Sequence, residues 1–135
     1  NVKFLNSAIH WYEKALDLST AANNDSQAYY HAINLAFLYL MRDEHDLTNC
    51  KKMAQLALEH CDKSLQDDYW EVATRAEAYL YLNNFEESKK LYIEALEKCN
   101  RDIRSTSSMM INAFYACNSL NQLHWKKELE VIFIN

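Results

Sequence analysis

The fold is decided by residues 78–100, which read AYLYLNNFEESKKLYIEALEKCN. An apolar segment ends at two adjacent asparagines, Asn83 and Asn84, and a second segment follows in which apolar residues recur at helical spacing. Asn84 stands three residues before Glu87, which is the capping-box spacing at which a helix begins. The stretch therefore predicts one helix, a short turn and a second helix.

Both helices of this stretch recur earlier in the chain. Residues 36–40 match residues 78–82 at an offset of 42, and residues 57–62 match residues 95–100 at an offset of 38. The additional residues fall in the polar turn Arg42-Asp43-Glu44-His45-Asp46. A recurring helix–turn–helix unit of this length predicts stacked antiparallel helix pairs, because neighbouring units bury each other's apolar faces.

A copy of the second helix also opens the chain, and a weaker copy of the first helix surrounds Ala113. Ala8, Cys50 and Ser88 each precede a corresponding alanine by seven residues, and small side chains at these positions allow two helices to approach closely. The pattern predicts an all-α chain of about seven helices. They are expected near residues 3–20, 26–42, 47–63, 68–82, 85–100, 104–118 and 122–134, with bounds uncertain by about two to four residues.

The helix starts are predicted from their polar residues. Asp68 and Asn84 are the expected N-caps of two helices, because each stands three residues before a glutamate. For two other helices the N-cap alternatives are Asp25 or Ser26 and Asp46 or Thr48.

The 135-residue chain contains neither glycine nor proline. Their absence excludes Gly-rich phosphate loops, dinucleotide-binding fingerprints and nucleophile elbows, and it argues against a β-rich fold. Helix ends without glycine need another residue that accepts the left-handed conformation, and asparagine is the usual choice. Asparagines at or near the predicted junctions are Asn23, Asn24, Asn83, Asn84, Asn100, Asn118 and Asn121.

Charge and cysteine content limit the partners and the compartment. A formal net charge of -5 argues against a nucleic-acid partner, and no apolar run is long enough to span a membrane. The four cysteines form no CxxC pair, so we expect buried core residues in a reducing, cytoplasmic compartment. The chain starts at Asn1 without a leader, and we interpret it as a segment of a longer protein.

We expect one domain, residues 1–135, made of successive repeats. Its predicted parts are the second helix of an incomplete repeat at 1–22, repeats at 25–64 and 67–100, and a degenerate closing repeat at 103–135.

The repeat resembles the tetratricopeptide family. Ala76, Tyr79, Ser88, Tyr92 and Ala95 occupy the family's small, aromatic, small, aromatic and alanine positions. The resemblance implies a right-handed α-solenoid.

Two segments resemble a more specific family. Residues 29–36, YYHAINLA, and residues 68–80, DYWEVATRAEAYL, are similar to segments of the TRAFs-binding domain. That domain occurs in apoptosis-signal-regulating-type mitogen-activated protein kinase kinase kinases and in bacterial relatives. The resemblance covers about residues 26–134 and implies a protein-binding scaffold within a larger regulatory protein.

The first helix of each pair lines the concave surface with which such arrays bind ligands. Trp70, Glu77 and Tyr81 share one face of helix 68–82, and the repeat offsets give equivalent positions in two other helices. The candidate partner-binding residues are His31, Leu35, Tyr39, Trp70, Glu77, Tyr81, Asn112 and Tyr115. The alternative is that these side chains pack inside the array as core.

The leading prediction is therefore a protein or peptide partner bound on the concave face. One alternative is a cysteine-based redox sensor, and another is self-association into a homo-oligomer through exposed apolar ends of the array. The sequence carries no nucleophile–base constellation and no metal-ligand spacing, and its acidic turn at residues 43–46 lacks the calcium-loop glycine. We expect no enzymatic activity, cofactor or metal.

Overall fold

The computed structural model describes residues 1–42 and 45–134. Within these residues the chain forms seven α-helices and no β-strand, so the all-α prediction is confirmed. The helices are α1 (Val2–Ala21), α2 (Asp25–Leu40), α3 (Leu47–Ser64), α4 (Tyr69–Tyr81), α5 (Phe85–Lys98), α6 (Ile103–Ser119) and α7 (Leu123–Ile134). Asp43 and Glu44 of the predicted acidic turn, and Asn135, lie outside the described residues.

Four helices end in the same type of turn, and each of these turns has an asparagine at its central position. Asn23, Asn83, Asn100 and Asn121 adopt left-handed backbone angles, with φ of 54°, 66°, 52° and 61°. At these four helix ends asparagine takes the left-handed conformation in place of glycine, as predicted. Leu65 takes it after α3, and Asn118 lies within the last turn of α6.

The turn after α4 shows the hydrogen bonds that all four turns share. The N–H of Asn83 donates to the carbonyl of Leu80 at 3.2 Å, and the N–H of Asn84 donates to the carbonyl of Tyr79 at 2.9 Å. This pattern is the Schellman motif, which satisfies carbonyls that the end of a helix would otherwise leave without donors.

Side-chain N-caps begin the first six helices. Asp68 accepts a hydrogen bond from the Glu71 N–H at 2.9 Å, and Asn84 and Asp46 also act as N-caps, as predicted. The prediction for α2 was wrong, because Asn24 caps this helix. The Asn24 N–H donates to the Ser19 carbonyl in the Schellman turn that ends α1. The Asn24 side chain accepts from the Gln27 N–H in the first turn of α2, so one residue serves both helix ends.

The chain divides into two compact units, Asn1–Leu65 and Gln66–Asn135. In the first unit α2 packs between α1 and α3. The His60 side chain near the end of α3 lies 2.9 Å from the Asp25 carboxylate at the start of α2, which aligns these two helices antiparallel.

The second unit contains α4 to α7. These helices form the pairs α4–α5 and α6–α7. The first helices of the two pairs, α4 and α6, pack against each other, and so do the second helices, α5 and α7. The buried Ser88 hydroxyl donates to the Ala76 carbonyl at 2.7 Å, so the α5 and α4 backbones approach closely at the predicted small positions. Phe85 stacks on Trp125 with ring centroids 5.1 Å apart and joins α5 to α7.

Candidate functional site

In the second unit, two candidate residues from different helices meet. The Asn112 side-chain amide on α6 donates to the Glu77 carboxylate on α4 at 3.4 Å. Asn112 lies 35 residues after Glu77, at the equivalent position of the next first helix in the repeat pattern, so the contact joins equivalent side chains of α4 and α6. The Tyr81 hydroxyl, one turn further along α4, donates to the same carboxylate at 2.6 Å.

Partial burial changes the acidity of Glu77. Loss of solvent raises the pKa of Glu77 from 4.5 to about 7, although the hydrogen bonds from Tyr81 and Asn112 favour the charged form and oppose this shift. Within the described residues no cationic side chain forms an ion pair with Glu77. The hydrogen bonds to the Glu77 carboxyl group in this part of the chain therefore come from neutral donors.

The interior behind Glu77 is apolar. Tyr92 on α5 is buried, and its hydroxyl has no hydrogen-bond partner among the described residues. Burial, with a smaller contribution from the Glu77 charge, raises the pKa of Tyr92 well above its usual value. Burial also raises the pKa of the Cys117 thiol to about 11. These groups stay protonated at neutral pH, so Glu77 is the titrating member of this cluster.

The other candidates of the second unit differ in exposure. Trp70 at the start of α4 is 39% exposed, and Tyr115 on α6 is half-buried. Tyr81 is buried, and it contacts Glu77 from the inside of the unit. Trp70, Glu77, Asn112 and Tyr115 therefore each keep some exposure to solvent, whereas Tyr81 is buried and supports the position of Glu77.

The candidates of the first unit are less accessible. Leu35 is wholly buried and Tyr39 is nearly so. His31 is half-buried beside Tyr12 and Tyr30, with ring centroids at 5.8 and 5.2 Å. Burial lowers the pKa of His31, so its ring is neutral at pH 7. In this unit the predicted face is largely occupied by packing between α1 and α2.

Tyr39 has a carboxylate partner that sequence reasoning missed. Its hydroxyl donates to Glu13 on α1 at 2.9 Å, and burial together with this hydrogen bond raises the pKa of Tyr39 to about 12. Tyr39 and Tyr81 occupy equivalent repeat positions, and each donates to a glutamate. Glu77 lies four residues before its tyrosine and is visible in the sequence, whereas Glu13 lies 26 residues away and no local spacing identifies it.

The thiols are mostly inside the units. Cys50, Cys61 and Cys117 are buried, and Cys99 is partly exposed. Within residues 1–42 and 45–134, no three His, Cys, Asp or Glu side chains are grouped closely enough to hold a metal ion.

Comparison with known proteins found no matching family model, no matching curated protein and no matching solved structure. No helix in the described part of the chain combines the length and apolar character that crossing a membrane requires.

Proposed function

We propose that this chain is a protein-binding module of the tetratricopeptide type, similar in role to the TRAFs-binding domain. In this proposal the helix pairs stack as a right-handed solenoid, and a peptide or extended partner segment lies along α4 and α6. The setting is a larger regulatory protein in the cytoplasm.

The contact between Glu77 and Asn112 carries this proposal. Helices α4 and α6 are separated by α5 in the sequence, yet their equivalent positions are in hydrogen-bond contact. A face that continues from one first helix to the next is what an array needs to bind an extended partner.

The chemistry of this face suits a peptide. Trp70 offers a large, rigid, partly exposed surface, and aromatic anchors of this kind dominate the binding energy of many interfaces. Glu77 and Asn112 offer a carboxylate and an amide beside it, which supply hydrogen bonds and select for donors or cations on the partner.

The thiols do not favour the redox alternative. A reactive cysteine needs exposure and a lowered pKa, whereas three of the four thiols are buried and the pKa of Cys117 is raised. The positions of these side chains fit small core residues.

A displayed library of random 16-residue peptides, selected on the wild-type chain, tests the proposal. We expect an enriched peptide to lose about tenfold or more in affinity for Trp70→Ala, the range of an aromatic interface anchor. The matched control is Trp11→Ala, which removes an exposed tryptophan of α1 and leaves this peptide bound. Failure to enrich any peptide, or peptides that bind Trp70→Ala and wild type equally, would contradict the proposal.

A further inference from the structure

Helix α1 carries an exposed apolar seam with a strict period of seven. Phe4, Trp11 and Leu18 follow one another at seven-residue intervals, and they are 79%, 70% and 72% exposed. Ala8, Ala15 and Ala22 follow at the same period, four residues after each large side chain. A heptad pattern of this kind is typical of a face that packs against another helix.

In the other helix pairs, another helix of the same chain covers the positions equivalent to Ala8 and Ala15. Cys50 and Ala57 on α3 are equivalent to Ala8 and Ala15, and both are buried in the unit in which α3 packs on α2. Ser88 has the same position on α5 and lies against the α4 backbone. Ala8 and Ala15 are only half-buried. The seam therefore has the composition of a helix-packing face but remains open in this structure.

The order of large and small residues makes the seam complementary to itself. When two α1 helices are aligned antiparallel about Glu13, Phe4 faces Ala22, Trp11 faces Ala15 and Leu18 faces Ala8 of the other helix. Each large side chain then meets a small one, and because the arrangement has two-fold symmetry every contact occurs twice.

A groove beside Ala8 provides a place for the incoming leucine. It has a volume of about 610 Å³ and lies between the start of α1 and the end of α2. Its apolar lining includes Phe4, Leu5, Leu38 and Met41. In the antiparallel alignment Leu18 of a second copy lies opposite Ala8, which also lines this groove.

We propose that two copies of this chain associate through antiparallel packing of their α1 seams. This association is separate from the peptide face on α4 and α6. A large aromatic side chain buries about 150–250 Å², so the seams of both copies together bury on the order of 1,000 Å². This area lies at the low end for specific complexes, so we expect a weak, concentration-dependent association.

Sedimentation equilibrium of the full chain from about 1 to 500 µM tests the association, since this range reaches the concentrations at which a weak dimer forms. We expect a reversible monomer–dimer equilibrium. Trp11→Glu and Leu18→Glu should each weaken it by more than about tenfold, because a charge at the seam loses its solvent. The control Ile103→Glu, at an exposed isoleucine of α6, should leave it unchanged. Circular dichroism confirms that each variant remains folded.

Disulfide formation tests the orientation. A mixture of Phe4→Cys and Ala22→Cys chains should cross-link faster than either variant alone. The wild-type chain measures the background cross-linking through its native cysteines. A monomer at every concentration would overturn the proposal, and so would a dimer that is insensitive to Trp11→Glu. Faster cross-linking of Phe4→Cys with itself would overturn the antiparallel arrangement.

Discussion

Asparagine performs two distinct tasks at the helix junctions. Asn23 and Asn83 adopt the left-handed conformation, which a β-carbon makes costly for most residues. Asn24 and Asn84 follow them immediately, and their side chains accept a hydrogen bond from the first turn of the next helix. The doubled asparagine therefore ends one helix and begins another within two residues. The α1–α2 and α4–α5 junctions are therefore short without glycine or proline.

The left-handed position should discriminate between alanine and glycine. We expect Asn83→Ala to lower the free energy of unfolding by about 1 kcal/mol, because alanine pays the steric cost of positive φ without a polar side chain to offset it. Asn83→Gly should stay within about 0.5 kcal/mol of wild type. Urea denaturation followed by circular dichroism measures both. Asn118→Ala is the matched control, since this asparagine is exposed within α6, and an equal loss there would contradict the assignment.

Glu77 should make stability depend on pH. Its pKa is about 7 in the folded chain and 4.5 in the absence of burial. Between pH 4.5 and pH 7 the folded chain therefore binds more protons than the unfolded chain. Its contribution to stability is complete below about pH 4.5 and is lost as the pH rises through 7. Glu77→Gln keeps an acceptor for Tyr81 without the charge.

We therefore expect Glu77→Gln to be more stable than wild type at pH 8 by about 1–3 kcal/mol, with a smaller difference at pH 5. Denaturation of both proteins at a series of pH values gives this difference. A gap that is constant across the series would show that the carboxyl does not titrate in the expected range.

At the scale of helices, sequence reasoning located every element to within about two residues, because the turns carry strong local signals. It did not identify Asn24 as the N-cap of α2, because Asp25 and Ser26 beside it have equally suitable side chains. It also placed Tyr39 and Tyr81 on a possible binding face. Helical spacing gives the direction of a side chain but not the position of the neighbouring helix, and packing buried both tyrosines.

Close packing within a helix pair depends on the small positions. Ser88→Leu should destabilise the chain by about 1–3 kcal/mol or more, because the added side chain cannot fit against the α4 backbone and the hydrogen bond to Ala76 is lost. Ser108→Leu, on an exposed part of α6, should change stability by less than about 0.5 kcal/mol. Thermal denaturation distinguishes them. Equal effects would mean that Ser88 is not a site of close approach.

Across the whole molecule, two surfaces differ in composition and suit different partners. The α1 seam is apolar and regular, and we propose a second helix as its partner. The face of α4 and α6 carries Trp70, Glu77 and Asn112, and for it we propose a peptide. The heptad period of the seam can be read from the sequence, whereas the exposure of its side chains cannot. The equivalent positions of Glu77 and Asn112 are also visible in the sequence, but their contact depends on how α4 and α6 pack.

The most direct test of the peptide face is nuclear magnetic resonance of the isotopically labelled chain during titration with a selected peptide. We predict the largest shifts at the Trp70 indole N–H, at the Asn112 side-chain amide and along the exposed sides of α4 and α6. Shifts confined to α1 or α7, with the Trp70 and Asn112 signals unmoved at saturation, would contradict the account.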